Sequence, residues 1–145
     1  MNNVPEATGV ARAAKAAGIP VAVSFTVETD GRLPSGDDLQ DAVAAVDEAT
    51  GAYPAYYMIN CAHPTHFAKA LAGNPRIMGL RANASRCSHA ELDEAATLDE
   101  GDPVELGTEF AALLRENPQL SVLGGCCGTD HRHLSEIGLA LRTAA

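Results

Sequence analysis

Three of the four cysteines stand where predicted strands end, and their chemistry suits a metal ion. Cys61 follows one apolar run directly, and the adjacent pair Cys126 and Cys127 follows another within Gly-Gly-Cys-Cys-Gly, residues 124–128. Thiolates are soft ligands that suit zinc, and three of them leave a fourth coordination position for water or substrate. The sequence therefore predicts a Zn²⁺ site formed by these three residues.

Two other interpretations of the cysteines stay open. They can be structural residues, since cysteine is common in buried apolar strands. They can also form a vicinal-dithiol redox centre or a structural-zinc domain on an open sheet, although the Cys-x-x-Cys spacing of dithiol oxidoreductases is absent. The fourth cysteine, Cys87, lies in a long loop without neighbouring glycines, and we expect no metal contact from it.

Both members of the adjacent pair can reach one ion only if the chain leaves strand geometry there. Neighbouring side chains of a regular strand point to opposite faces of the sheet. Gly124, Gly125 and Gly128 surround the pair, and glycine accepts backbone conformations that other residues avoid. We expect these glycines to supply the freedom that the site needs.

Helical and extended patterns alternate along the chain in the order αβαβαβαβα. Alternating strands and helices indicate an α/β fold with a parallel sheet and right-handed crossovers. The carboxyl ends of such strands share one edge, which is where active sites of these folds are built. Four units of this kind fit either a small open sheet or half of an eight-stranded barrel. The predicted strands cover residues 19–27, 56–60, 76–81 and 120–123, and residues 82–103 are predicted to form a loop or lid. The last predicted helix has Leu134, Ile137 and Leu141 on one face, which we expect to pack inward.

The composition of the chain argues against nucleic acids and membranes as binding partners. The chain of 145 residues carries 19 acidic against 10 basic residues, and it contains no lysine or arginine cluster. Nucleic-acid binding requires a basic surface, so we expect no nucleic-acid partner. No apolar run approaches the length of a bilayer span, and residues 1–7 lack the pattern of a secretory signal, so we expect a cytoplasmic protein without membrane contact.

Two motifs resemble those of the zinc-dependent homocysteine S-methyltransferase family. Met-Ile-Asn-Cys at 58–61 is similar to that family's Gly-Ile-Asn-Cys, and Gly-Gly-Cys-Cys-Gly-Thr at 124–129 matches its second motif completely. Ser-Phe-Thr at 24–26 and the order of strands also resemble its later strands. The resemblance covers essentially the whole chain. Its one departure in the motifs is Met58, a larger side chain that we expect to alter strand packing near the metal.

The resemblance implies a (β/α)₈ TIM barrel of which residues 1–145 form the last four βα units, a single partial domain. It places Met1 just after the fourth barrel strand. The matching cysteines would bind zinc, and the thiolate of homocysteine would take the fourth position. A small methyl donor, carrying its methyl on a sulfonium, an ammonium or a corrinoid, would then convert homocysteine to methionine.

Three further residues are expected to serve the substrate. Glu28 follows the first strand and would accept the ammonium group of homocysteine, although a solvated loop carboxylate is the alternative. Asn60 precedes the first cysteine of the site and would orient it, unless it only forms a turn. Asn83 matches an asparagine of the family and would contact substrate. The histidines His63 and His66 are expected to be surface or helix-capping residues, with a place near the metal as the alternative.

These observations lead to one preferred function and two alternatives. The preferred function is an enzyme whose barrel is completed by self-association or by a complementary N-terminal half, because an isolated half barrel exposes two strand edges. The first alternative is a truncated fragment that binds zinc without activity. The second is the redox or structural-zinc domain described above.

Overall fold

The computed structural model describes residues 1–144, which form ten regular elements. Strands and helices alternate as predicted, with one additional short helix before the last strand. The elements are α1 (Val4–Ala17), β1 (Val23–Thr26), α2 (Leu39–Thr50), β2 (Tyr57–Ala62), α3 (Pro64–Leu71), β3 (Ile77–Ala82), α4 (His89–Glu94), α5 (Pro103–Glu116), β4 (Val122–Gly125) and α6 (His131–Ala144).

Within the described residues the strands form one four-stranded sheet in the order β1-β2-β3-β4, and every pairing is parallel. Strand order therefore follows chain order without a reversal. Right-handed crossovers then place all connecting helices on the same side of the sheet. Doubly wound sheets reverse their strand order, whereas (β/α)₈ barrels do not. The α/β prediction is confirmed, and the arrangement is consistent with part of a (β/α)₈ barrel.

Short polar side chains start the helices, and glycines end the first two. Asn3 and Asp38 accept hydrogen bonds from the free amides of the first turns of α1 and α2. Gly18 and Gly51 end these helices in the left-handed conformation, at φ +66° and +69°. These caps fix where each helix begins and where it ends before the next strand.

Among residues 1–144, one face of the sheet packs on helices and the other face carries none. The packed face carries Phe25, Tyr57, Ile59 and Ile77, each at most 1% exposed, and the rings of Phe25 and Tyr57 stack at 6.1 Å. We call the other side the open face. Its members, as the strand register aligns them, are Ser24, Met58, Gly79 and Val122 in one row and Thr26, Asn60, Arg81 and Gly124 in the next.

Met58, the departure from the family motif, is accommodated on the open face by a glycine. The register places Met58 opposite Gly79, next to an irregularity in the β2–β3 pairing. A Cβ atom built on Gly79 would lie 2.8 Å from Met58 Cε and 3.0 Å from its sulfur. The methionine therefore fills the space that a side chain at position 79 would need.

The first strand is shorter than the predicted residues 19–27, because the first of these residues bonds to the end of the preceding helix. The Ile19 amide donates to Ala14 O at the end of α1, and Pro20 has no amide hydrogen to give to a sheet. Ile19 is 59% exposed. Regular pairing begins only at Val23.

The predicted loop at 82–103 contains α4, which the prediction missed. Ser88 and Glu91 form a capping box, in which each side chain bonds the backbone amide of the other residue. The Ser-x-x-Glu pattern was visible in the sequence, but six residues are too few to show a helical period. We call residues 86–102 the flap.

The prediction for the inner side of α6 was wrong in part. Ile137 is buried as expected, but Leu134 and Leu141 are 51% and 43% exposed. His133 and Ala140 take the inward positions at 0% and 5% exposure. The His133 ring forms hydrogen bonds there with the Asp130 amide and with the Glu100 carbonyl of the flap. These contacts orient this side of α6 toward the flap.

No helix within residues 1–144 has both the length and the hydrophobicity that crossing a bilayer requires.

Candidate metal centre

The three predicted sulfur atoms meet at the carboxyl edge of the sheet. Cys61 lies near the end of β2, and Cys126 and Cys127 follow β4. Their Sγ atoms all lie within 4.8 Å of one another, and those of Cys61 and Cys126 are 2.9 Å apart. Cys127 is exposed, whereas Cys61 and Cys126 are half-buried. The sequence thus predicted which side chains come together.

A bulge turns Cys61 out of the regular strand. Asn60 pairs with Arg81 and Ala62 with Ala82, so Cys61 is the extra residue in β2. Its φ of +55° lies in the left-handed region, which few residues other than glycine adopt. The prediction placed such freedom only at the glycines of the second motif. The structure shows that the first cysteine also leaves strand geometry.

A tight turn presents Cys126 and Cys127 together. The Thr129 amide donates to the Cys126 carbonyl at 3.2 Å, and Gly128, the third residue of this turn, has φ +76°. Of the three glycines expected to adopt unusual backbone conformations, only Gly128 has a positive φ, while Gly124 and Gly125 belong to β4.

Gly125 is needed for a different reason, a close approach by Thr129. The Thr129 hydroxyl donates to Cys126 O at 2.7 Å, which brings the threonine over the glycine. A Cβ on Gly125 would overlap that hydroxyl and lie 2.6 Å from Thr129 Cβ. Gly124 has no such conflict, because its Cβ would lie 3.8 Å from Arg81 Cγ.

Hydrogen bonds between the loops after β3 and β4 fix the cysteine pair. Cys126 N donates to Ala82 O at 2.7 Å, and Ala84 N donates to Cys127 O at 3.0 Å. The Cys127 amide donates to the side-chain oxygen of Asn83 at 3.2 Å, and Asn83 is only 2% exposed. Asn83 therefore holds the backbone of Cys127, a positioning contact that its expected substrate role did not include.

Asn60 is anchored on the neighbouring strand. Its amide oxygen accepts from the Ser24 hydroxyl at 2.5 Å, and its amide nitrogen donates to Thr26 Oγ1 at 3.1 Å. These contacts hold the residue that precedes Cys61 at the bulge. Burial and the neighbouring Cys126 thiol raise the pKa of the Cys61 thiol, while a hydrogen bond with Asn60 opposes that rise.

The donor set fits a zinc ion. Three thiolates at about 2.3 Å from one tetrahedral zinc ion are roughly 3.8 Å apart, and the observed sulfurs all lie within 4.8 Å of one another. The closest pair would move apart by about 1 Å around the ion, a small adjustment at the ends of two strands. Among residues 1–144 no histidine, carboxylate or further cysteine joins this group, and Cys87 is exposed outside it.

His89, at the start of α4, was not singled out in the sequence and lies beside the cysteines. Its Nδ1 is 3.1 Å from Glu28 Oε2, and its Nε2 contacts the Cys61 carbonyl. The three residues line a cavity of about 380 Å³ together with Thr26 of the open face. Glu28 is thus at the site where the sequence predicted it, but a flap histidine accompanies it.

Cys127 borders a second cavity, of about 250 Å³, under the flap. Its lining includes Asn83, Leu92 and Leu98. The flap is held over this cavity by several contacts. Ser85 donates to Asp99, and the His133 ring contacts the Glu100 carbonyl at 2.8 Å. The segment that the sequence predicted to be a lid is therefore attached to the strand-end loops and to α6.

Arg81 is a cation at the cysteines that the sequence analysis did not identify. It is exposed on the open face, its Nη2 lies 3.6 Å from Cys126 Sγ, and its Nε donates to Gly125 O at 3.4 Å. Its place as the last residue of the predicted third strand, residues 76–81, was the only signal available in the sequence.

His63 is a helix-capping residue, as predicted. It is 2% exposed, and its Nδ1 accepts from the Thr65 amide at the start of α3. Burial, together with the positive charge of Arg86 and the nearby His66 ring, lowers the pKa of His63 to about 4. The ring is therefore neutral at pH 7, and its 3.3 Å contact with Glu109 is not an ion pair.

One family comparison covers almost the whole chain. The sequence model of the family described as Homocysteine S-methyltransferase matches residues 1–141. A comparison with curated proteins finds no match.

Proposed function

Since the chain belongs to the homocysteine S-methyltransferase family, we propose that it transfers a methyl group to the thiol of homocysteine, giving methionine. Cys61, Cys126 and Cys127 are the proposed ligands of the zinc ion that this reaction uses. The observation that carries the proposal is the meeting of three sulfurs from two strand ends within 4.8 Å.

The zinc ion, when bound, lowers the pKa of a thiol that coordinates it and so supplies a sulfur nucleophile at neutral pH. The new S–CH₃ bond forms as the bond between the methyl group and its donor breaks. The thiol proton is released to solvent. No side chain needs to act as a general acid, because a sulfonium or ammonium donor leaves as a neutral molecule.

The protein's own residues position the reactants. In this proposal Glu28 accepts the ammonium group of homocysteine in the 380 Å³ cavity that Cys61 borders. Asn60, held by Ser24 and Thr26, fixes the bulge that aims Cys61. Asn83 fixes the backbone of Cys127 beside the 250 Å³ cavity, where the proposal places the methyl donor.

The first prediction concerns metal content and activity together. We expect the Cys126→Ser variant to lose most of its zinc, because two sulfurs hold the ion much less well than three. Cys87→Ser is the matched control, since Cys87 lies outside the group, and it should retain the zinc of the wild type. Metal is measured by mass spectrometry after gel filtration.

The same three proteins are assayed for methionine formed from homocysteine with sulfonium, ammonium and corrinoid donors. Wild type and Cys87→Ser should be active with one donor, and Cys126→Ser inactive. Equal zinc in all three proteins overturns the ligand assignment. Zinc binding by the wild type without methyl transfer from any donor favours the inactive-fragment alternative.

The 2.9 Å contact between the sulfurs of Cys61 and Cys126 favours one second candidate, a redox dithiol. Oxidised glutathione would join these sulfurs in a disulfide and leave as two molecules of reduced thiol. Free-thiol titration of the metal-loaded protein tests this. A loss of two thiols at cytosolic glutathione concentrations with the metal still bound would support the redox candidate, whereas protection of all thiols by the metal supports the methyltransferase.

A further inference from the structure

Arg81 reaches along the sheet toward β4 and lines neither of the cavities that border the cysteines. Its register partner is Gly124, and a Cβ atom there would lie 3.8 Å from Arg81 Cγ, so the arginine stem lies beside a residue without a side chain. At the end of that stem Nε donates to Gly125 O at 3.4 Å, and Nη2 lies 3.6 Å from Cys126 Sγ. These contacts hold the guanidinium against one sulfur of the proposed metal site.

No acidic side chain neutralises this guanidinium. Arg76, Arg86 and Arg132 each contact at least one carboxylate, whereas Arg81 has none within 4 Å among the residues that the structure describes. In that part of the chain it is also the one cationic side chain that forms a hydrogen bond with a sulfur of the proposed site. Its positive charge is therefore available to that sulfur.

We propose that Arg81 is a positioning residue of the metal centre, which donates a hydrogen bond to Cys126 Sγ, stabilises the zinc-bound state and lowers the reactivity of that sulfur. This inference rests on the proposed function, because it assumes that the three cysteines bind zinc. It adds a residue that neither motif contains, and it concerns a ligand of the metal rather than a substrate.

The charge of the zinc-bound site accounts for the first effect. Cysteines bind zinc as thiolates, so they lose their protons on binding. Three negative sulfurs and one divalent cation leave a net charge of −1, in a chain whose formal net charge is already −9. A guanidinium bonded to one sulfur offsets this added charge. Loss of a group that supports a metal ligand costs about 10- to 100-fold in metal affinity. Because Arg81 is exposed, water weakens its effect, and we expect the lower end of that range.

The second effect concerns which sulfur reacts with the methyl donor. The three cysteine sulfurs lie within 4.8 Å of one another, so a donor that reaches an acceptor thiol beside them also approaches the ligands. A charge-assisted hydrogen bond holds electron density on the sulfur that accepts it, which makes that thiolate a weaker nucleophile. Arg81 therefore keeps Cys126 as a ligand that does not compete for the methyl group.

The test measures zinc affinity and sulfur reactivity on the same full-length proteins. The variants are Arg81→Gln, which removes the charge, and Arg81→Lys, which keeps the charge without the planar group. Arg115→Gln removes an exposed arginine of α5 and is the matched control. Zinc dissociation constants come from competition with a coloured chelator. Reactivity is measured at saturating zinc with iodoacetamide, which forms an S–C bond and releases iodide, and peptide fragmentation separates the products at Cys126 and Cys127.

We expect Arg81→Gln to bind zinc about 10-fold more weakly than the wild type, and Arg81→Lys to recover part of this loss. In Arg81→Gln the rate of alkylation at Cys126 relative to Cys127 should rise by up to about 10-fold, because Cys126 has lost its bond to a charged group. The rate at Cys127 should stay constant, which makes it the internal reference. Arg115→Gln should match the wild type in both measurements.

The inference requires both changes in Arg81→Gln. Unchanged zinc affinity, or an unchanged ratio of alkylation at Cys126 and Cys127, overturns it while leaving the metal site in place. Weaker binding with equal acceleration at both cysteines indicates a disturbed fold and also overturns it. A wild type that binds no zinc overturns the proposed metal site, and this inference with it.

Discussion

At the scale of single residues, the turn that carries Cys126 and Cys127 depends on one glycine more than on its neighbour. Thr129 packs directly on Gly125 and bonds the Cys126 carbonyl, whereas Gly124 meets only the Arg81 side chain at ordinary contact distance. The two adjacent glycines of one motif therefore have different physical roles, which a pair of substitutions separates.

The second prediction follows from this difference. We expect Gly125→Ala to lower the free energy of unfolding by about 1–3 kcal/mol, because the added methyl group must displace Thr129. Gly124→Ala should cost little or stabilise by up to about 1 kcal/mol, since alanine restricts the unfolded chain more than glycine does. Urea unfolding of the two metal-free variants makes the comparison, and equal losses would show that Thr129 does not constrain the turn.

The sequence was sufficient to predict which cysteines meet, because two strand-end motifs and a parallel sheet determine that edge. It was not sufficient to show the bulge at Cys61, since a left-handed residue that is not glycine leaves no mark in composition. His89 and Arg81 were missed for a related reason. Their place at the site depends on contacts between segments distant in sequence, and neither lies in a motif.

At the scale of elements, the end of the sheet opposite the cysteines is stabilised by one ion pair. Arg76, just before β3, holds Asp47 of α2 through two hydrogen bonds of 2.8 and 2.9 Å, and the Tyr57 hydroxyl donates to the same carboxylate at 2.8 Å. Burial raises the pKa of Asp47, but the bonds from Arg76 and Tyr57 outweigh it and leave the pKa below its usual value.

The third prediction uses this shift. We expect Asp47→Asn to lower the free energy of unfolding at pH 7 by about 1–3 kcal/mol, the range for hydrogen bonds to charged groups. Because the folded-state pKa is depressed, the stabilisation is complete above the unfolded pKa of about 4 and is lost as the pH falls through the folded value. The difference between wild type and variant should therefore shrink below about pH 4.

Glu48→Gln, an exposed carboxylate next to Asp47 in α2, is the control and should change stability little at either pH. Thermal unfolding across the pH range gives both values. A difference between wild type and Asp47→Asn that stays constant down to pH 2 would contradict the assigned role of the carboxylate charge.

Element order and parallel topology were predictable because apolar runs and glycine stops alternate regularly along the chain. The errors have local causes. Pro20 delays the first strand, a capping box marks α4 within a polar segment, and the contacts of His133 set the rotation of α6. Each of these errors depends on the hydrogen bonds of individual groups. The periodicity of hydrophobic residues carries no information about such bonds.

At the scale of the whole molecule, the sheet presents two edge strands and a helix-free face among the described residues. β1 and β4 each pair with one strand only. Met1 covers the outer edge of β1, because its amino group donates to Ser24 O at 2.8 Å and its carbonyl accepts from Thr26 N at 3.0 Å. The uncovered edge among residues 1–144 is therefore that of β4, where Val122 is 37% exposed on the open face. Unpaired strand edges are templates for pairing with another chain. We expect this face to associate with a second copy or with a complementary half of the barrel.

The fourth prediction is that the average mass of the chain in sedimentation equilibrium rises with concentration. A charge on the edge strand should oppose this, so Val122→Lys should shift the protein toward the monomer. Val104→Lys places the same charge on an exposed position of α5, in the helix layer, and should leave association unchanged. A monomer at every concentration in the wild type would contradict the expectation.

The number of sulfur atoms bound to the zinc ion decides whether Cys61, Cys126 and Cys127 form the metal site. X-ray absorption at the zinc edge counts the sulfur atoms around the metal at about 2.3 Å. We predict three sulfurs and one lighter atom in the purified protein, and four sulfurs after homocysteine is added. Fewer than three sulfurs before the addition would contradict the three-cysteine site, and an unchanged shell after it would contradict coordination of the acceptor thiol.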